Sequence, residues 1–349
     1  MMKAKECVLM AFENKTPERV PAIIYGGGVW TMKHTGNTFD GLIGKPREMA
    51  DMVIRVNEEI KSDMVYLGSG YNNVHLQPFG GRIKYRPVGA PDLEEPLMYE
   101  DDDLQRLREK YPDIRAALSG DPVVQTIWEA ARLVHEEIGD EYLVSATAWG
   151  PFSLAAQIYG VEKMMQDCFR KPKLVADTID FAAEINYYFY EPMIKNGSIE
   201  ATAIADATAS GDLISPRMFK KFALPGLQKF HSMIEALNCG RFLHICGDTT
   251  KSLELFPESG AQCIAIDMKV DLAEAHQKIG AKMCIGGNSH PVFVLNNGTK
   301  EVVIENAKKC IQNAGLDGGY ILLPGCDIPP GLPVENIHAY LSAGRDWKY

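Results

Sequence analysis

No basic surface is available in this chain. Acidic residues outnumber basic ones, 46 Asp and Glu against 36 Lys and Arg, for a formal net charge of −10. No surplus of Lys and Arg is left to neutralise phosphates, which argues against a nucleic-acid partner and equally against an anionic membrane surface. Long apolar runs are missing too, none approaching the roughly 18 residues of a membrane span. The opening stretch, "MMKAKECVLMAFENKTPERVP", has no apolar core ahead of a small-residue cleavage site, so no secretion signal is read there. Cysteine is sparse: eight, at positions 7, 168, 239, 246, 263, 284, 310 and 326, show no disulfide-scaffold spacing. Reduced thiols and a cytoplasmic location are therefore expected. Repeats, low-complexity tracts and linker-like stretches are also absent, so 1–349 is expected to form one domain.

What is present is a regular alternation. Short β-branched or apolar runs stand at "PAIIY" (21–25), "MVYL" (64–67), "YLVSAT" (142–147), "ATAIA" (201–205), "RFLHI" (241–245), "CIAI" (263–266), "MCIG" (283–286) and "YILL" (320–323). Between most of them lie segments with apolar residues at helical spacing, such as 172–194 and 301–315, the latter closing on a glycine that suits a helix C-terminus. Strand–helix alternation implies parallel βαβ units, and eight of them predict an α/β fold, a (β/α)₈ TIM barrel. The long stretch between the second and third strands, about 70–120, is rich in Gly, Pro and acidic residues and reads as an insertion beside the barrel. The aromatic row "NYYFY" (186–190) falls in a helical pattern and is assigned to packing.

A barrel places its reactive groups at the C-terminal ends of its strands. Asp206 follows "ATAIA", His244 and Cys246 end the fifth strand, Asp267 follows "CIAI", Asn288 comes after "MCIG", and Cys326 follows "YILLPG". Alternate residues on an extended strand face the same way, so His244 and Cys246 can aim at one point. With Cys326 they make a three-ligand set, the number a catalytic zinc takes while keeping one position open. His-x-Cys with a distant Cys is a modest signal on its own, because an isolated buried cysteine is more often a small hydrophobe. Asp206 is readable as a group orienting a ligand or substrate, or as a helix cap. Asp267 is readable as a fourth, exchangeable ligand. Tyr25, Gly27 and Trp30, in "YGGGVW", are candidates for contact with a substrate or a large planar corrin ring, although three glycines also make an ordinary turn, and Asn288 is a candidate wall of the same pocket, readable also as shaping its own loop.

"LHICGDTT" (243–250) together with "LLPGCDIPPGLPVENIHAY" (322–340) resembles the zinc-dependent methyltransferases of the uroporphyrinogen decarboxylase superfamily, as do 147–162, 204–225 and 286–303. That group includes methylcobalamin:coenzyme M methyltransferases and the methyl-donor enzymes of corrinoid O-demethylase systems. The resemblance implies a (β/α)₈ barrel with zinc held by His244, Cys246 and Cys326. It also implies a corrinoid (cobalamin) brought by a partner protein, since no "DxHxxG" cobalamin module is present. The decarboxylase branch carries an arginine-rich stretch near its first strand; here "YGGGVWTMKHTG" (25–36) has only Lys33 besides His34, too little for a substrate with many carboxylates.

Zinc can polarise an oxygen or lower the proton affinity of a thiol. Two methyl transfers are therefore open: from a methoxylated aromatic to the corrinoid, or from the methylcorrinoid to a thiol such as coenzyme M. The aromatic residues Tyr25, Trp30, Phe39, Tyr66, Tyr71 and Phe79 in the front half incline the expectation to O-demethylation. Coenzyme M would instead require a cation at the strand ends, for which Arg217 and Lys269 are available. A uroporphyrinogen decarboxylase and a non-catalytic zinc-containing partner of the corrinoid protein stay as alternatives, and a homodimer is left open.

Overall fold

The computed structural model describes residues 2–349. Its strands are β1 (Met64–Leu67), β2 (Ile83–Lys84), β3 (Asp92–Leu93), β4 (Leu143–Trp149), β5 (Ala201–Ala205), β6 (Gly240–Ile245), β7 (Cys263–Ile266), β8 (Cys284–Ser289) and β9 (Tyr320–Pro324). Seven run parallel in the order β1-β4-β5-β6-β7-β8-β9. The extended segment 21–25 closes the ring between the two ends. Ala22 bridges Leu322 in parallel, with N–H groups of Ile23 and Leu322 donating to the carbonyls of Leu322 and Pro21, each at 2.9 Å. Eight staves with helices outside form the (β/α)₈ barrel.

The first stave was expected to be a strand, and it makes only one bridge for a specific reason. On its β1 side much of the pairing comes from side chains. Asp63 Oδ2 accepts from Ala22 N–H at 2.8 Å and Ser62 Oγ accepts from Ile24 N–H at 3.1 Å. Arg19 clamps the Asp63 carboxylate with two bonds of 2.6 and 2.8 Å.

The staves are buried on both faces, as parallel strands covered by helices must be. Period-two alternation sends Ile23, Tyr25, Met64, Tyr66, Ala201, Ala203, Ala205, Phe242, Cys263, Ala265, Cys284, Ile321 and Leu323 into the barrel. Small alanines on β5 and β7 make room for the rings of Tyr25, Tyr66 and Phe242. The helix Ala4–Phe12 adds Val8, Ala11 and Phe12 to that cluster, with Phe12 and Phe242 ring centroids 6.5 Å apart. This helix stops the N-terminal end of the barrel and leaves the other end for chemistry.

Outside, the helices start where the sequence supplies caps. Asp121 accepts from Val123 and Val124 N–H ahead of Pro122–Ile138, and Thr299 caps Lys300–Ala314. The aromatic row on Pro172–Lys195 packs as expected, with the Tyr190 hydroxyl set between the carbonyls of Ala146 and Ala203. The insertion comprises a 3₁₀ segment (Asn72–Phe79), the β2–β3 hairpin and two short helices, Asp103–Lys110 and Ile114–Ser119. It is tied to the C-terminal end of β4 through Thr147 to Asn72 at 3.2 Å and Trp149 to Asn73 at 2.7 Å. No helix of the described residues is long and apolar enough to cross a membrane.

Candidate metal centre at the barrel mouth

The inward alternation of β6 passes through Phe242 to His244, and Cys246 is the first residue beyond the strand. Cys326 lies on the turn after β9, and the two turns converge over the barrel axis. His244, Cys246 and Cys326 bring their ligand atoms within 4.8 Å of one another. His244 Nε2 stands 3.1 Å from Cys246 Sγ, and the two sulfurs are 3.7 Å apart. His244 is buried and both cysteines are half-buried. The imidazole is oriented from behind, with Nδ1 3.0 Å from the Ala265 carbonyl. A carbonyl can only accept, so Nδ1 carries the proton and the Nε2 lone pair faces the sulfurs, which is the arrangement a metal-binding histidine needs.

The two thiols share their protons unequally. The hydrogen bond from Cys246 pulls Cys326 well below the usual thiol range, against burial. The same bond, with burial added, pushes Cys246 upward. Two thiols converging with an imidazole match a soft divalent cation.

The turn carrying Cys246 is held from both sides. Gly247 has φ +80, a left-handed conformation that favours glycine, and a Cβ there would also press on Ser210 Oγ and Asp212 Oδ2. Asp267, buried, accepts from Gly247 N–H and Lys269 N–H, each at 2.9 Å, through separate oxygens. Its expected place as a fourth ligand is not among the atoms that cluster with the triad; it braces the ligand turn. Over the same turn Lys269 Nζ pairs with Asp212 at 2.6 Å, which puts a lysine at the rim. Asn288 donates to the carbonyls of Asp267 (3.0 Å) and Val270 (2.7 Å) and so fixes the loop that carries Asp267.

Tyr25 is the candidate contact residue that the fold brings to the triad. Its ring lies 4.8 Å from the His244 ring and meets Tyr66 edge-on at 5.8 Å. Burial, then the nearby Cys246 thiol, holds its hydroxyl well above the usual tyrosine range. Gly27 donates its N–H to Asp327 Oδ1 at 2.5 Å. The space beside Gly26 is filled by that carboxylate, 2.5 Å from where a Cβ would stand. The glycines that suggested access for a planar ring thus serve a close backbone approach to Asp327. Trp30 is buried, donates to the Leu332 carbonyl at 2.8 Å and stacks on His34. Asp206, buried, accepts from Ser153 N–H at 2.6 Å and Phe152 N–H at 3.3 Å, capping Pro151–Tyr159 from the next loop. Burial raises its carboxyl to about 6.

Asp327 was passed over in the sequence although it directly follows Cys326 in "GCDIPP". It ties the turn of the third ligand to the first stave, accepting from Gly27 N–H and Ile328 N–H. Nothing in its spacing marked it, because its partner Gly27 is 300 residues away.

A parallel barrel with a His–Cys–Cys set at its mouth places the chain in one class: it belongs to the uroporphyrinogen decarboxylase (URO-D) family, whose pattern it matches over residues 3–347. Within that family its full-length similarity is to methyltransferases. It is 35% identical to the methylcobamide:CoM methyltransferase MtbA of Methanosarcina acetivorans, over 99% of this chain and 98% of that protein. A methyltransferase structure from Methanosarcina mazei superposes with a TM-score of 0.84 at 26% identity, covering 99% of both chains. The uroporphyrinogen decarboxylase of Streptomyces avermitilis matches at 27% identity over 74% of this chain and 69% of its own length.

Proposed function

We infer that this chain transfers a methyl group between a corrinoid, presented by a partner protein, and a small thiol. The chain is an enzyme of the methyltransferase branch of its family. The observation that carries the reading is the converging triad of His244, Cys246 and Cys326, joined to full-length similarity to a methylcobamide:CoM methyltransferase. The expectation of a methoxyaromatic donor finds no counterpart in these relatives, and a thiol acceptor fits them better.

Zinc is the ion that suits two thiols and one imidazole, and held by these three residues it supplies positive charge that lowers the proton affinity of a thiol. The rest falls to the chain. Asp267 and Asn288 hold the Cys246 turn, the Ala265 carbonyl fixes the His244 tautomer, and Asp327 anchors the Cys326 turn to Gly27. Tyr25, against His244, walls the site on one side with an apolar ring face. Lys269 is the cation at the rim that an anionic tail on the thiol would meet, in exchange for Asp212. Asp206 acts at a distance by capping the helix after β4.

The test combines metal content with turnover. Wild type is expected to hold one zinc per chain and to demethylate methylcobalamin in the presence of coenzyme M, followed by the change in cobalamin absorbance. Cys326→Ser is expected to lower zinc affinity by more than about 100-fold and to abolish turnover while keeping the wild-type circular dichroism. A Cys326→Ser protein with full zinc content and full turnover would remove the triad from the mechanism.

A further inference from the structure

The sulfur pair at the mouth differs from every other thiol in the chain. Cys7, Cys168, Cys239, Cys263, Cys284 and Cys310 are buried, whereas Cys246 and Cys326 are half-buried with their sulfurs 3.7 Å apart. A disulfide requires about 2.05 Å, so closure needs each sulfur to advance by less than 1 Å, roughly the scale of a small side-chain rotation. Cys263 and Cys284 face each other in the β7–β8 register as well, but they lie sealed inside the barrel. Proximity alone therefore does not single out the mouth pair; proximity with access does.

We propose that Cys246 and Cys326 form a reversible disulfide on exposure to peroxide, a modification that dismantles the metal centre. The inference rests on the triad being that centre, although the disulfide itself needs only the two thiols. In the first step one cysteine thiolate attacks a peroxide oxygen. The O–O bond breaks, the sulfur becomes a sulfenic acid, and hydroxide leaves to take a proton as water. The second thiolate then attacks that sulfur, the S–S bond forms, and hydroxide again leaves as water. The two sulfurs together lose two electrons, and one hydrogen peroxide with two protons becomes two waters. Two of the three ligands are consumed, so His244 alone remains and the ion is released. A dithiol reverses the bond by exchange through a mixed disulfide and restores the site.

The experiment uses the full chain in two forms, loaded with zinc and stripped by a chelator, each titrated with hydrogen peroxide. Intact mass, a non-reducing peptide map and zinc release to a chromogenic chelator are followed together. The expected result is a loss of about 2 Da, one for each thiol hydrogen. The map should show a single cross-linked peptide pair joining Cys246 to Cys326, with Cys263 and Cys284 still reduced. Zinc should be released in step with the cross-link and rebind after dithiothreitol. Cys326→Ser should give instead a trappable sulfenic acid on Cys246. Irreversible sulfinic or sulfonic acid on Cys246 or Cys326 without any cross-link would overturn the proposal, as would a cross-link between other cysteines. If the untreated protein binds no zinc while the cross-link still forms, the disulfide stands and the metal reading falls.

Discussion

Removing the Asp267 side chain should loosen the metal without touching a ligand. The carboxylate is buried and takes two backbone N–H groups, from Gly247 next to Cys246 and from Lys269. Hydrogen bonds to a charged group contribute about 1.5–3 kcal/mol each, so Asp267→Ala is expected to destabilise the fold by roughly 3 kcal/mol or more and to leave the Gly247 N–H without a partner. The Cys246 turn then samples positions in which its sulfur no longer converges with His244 and Cys326. Loss of a group that orients a ligand lowers metal affinity about 10–100-fold, or about 1.4–2.8 kcal/mol. Zinc affinity measured by competition with a chromophoric chelator, beside urea denaturation of the same samples, reads both effects. Asp267→Asn should fall between wild type and Ala, because the amide oxygen accepts one N–H while its NH₂ group opposes the other. An Ala variant with wild-type zinc affinity would refute the bracing role. A loss as large as that of Cys246→Ala would show that Asp267 is itself a ligand.

Two further predictions concern the frame. Arg19→Ala strands the buried Asp63 carboxylate that pairs the first stave with β1; breaking such a pair removes about 3–5 kcal/mol, and a loss below about 1 kcal/mol in urea denaturation would show the stave held by other means. Asp206, raised by burial to about 6 from 3.8, binds its proton more tightly when folded, so its contribution is fully present below the unfolded pKa and is lost as pH rises from about 4 through about 6. Asp206→Asn should remove this pH dependence. The stability difference between wild type and variant should shift against wild type by an amount on the order of 3 kcal/mol between pH 4 and pH 7, and a difference that does not change with pH would contradict the buried, protonatable cap.

Legibility in the sequence followed the range of the interactions involved. Apolar runs of four to six residues located the staves, because strands covered on both faces must be apolar throughout. His244 and Cys246 were legible because strand periodicity and the turn after β6 act within three residues. The first stave was read correctly as a stave but not as one paired by side chains, since Asp63 and Ser62 lie about 40 residues beyond it. Asp206 and Asp267 were visible as polar residues at strand ends. That each spends its carboxylate on backbone N–H groups of a neighbouring loop depends on the three-dimensional order of the staves. Asp327 shows the same limit, with one contact local, to Ile328 N–H, and the other at the opposite end of the chain.

The helix Ala4–Phe12, wedged into the base of the barrel through Val8, Ala11 and Phe12, also bears on traffic. With the barrel interior filled by side chains and its base covered, the mouth is the approach left to the metal centre. If the proposed transfer takes place here, the thiol and the cobalt-bound methyl group would use the same opening, and the corrinoid's carrier would cover it on arrival. The thiol would then be seated before the carrier lands, and the methylated product would wait for the carrier to leave. On this proposed pathway the filled barrel and the helix beneath it, in contact with neither reactant, would confine both to one entrance and so bear on the order in which they come and go.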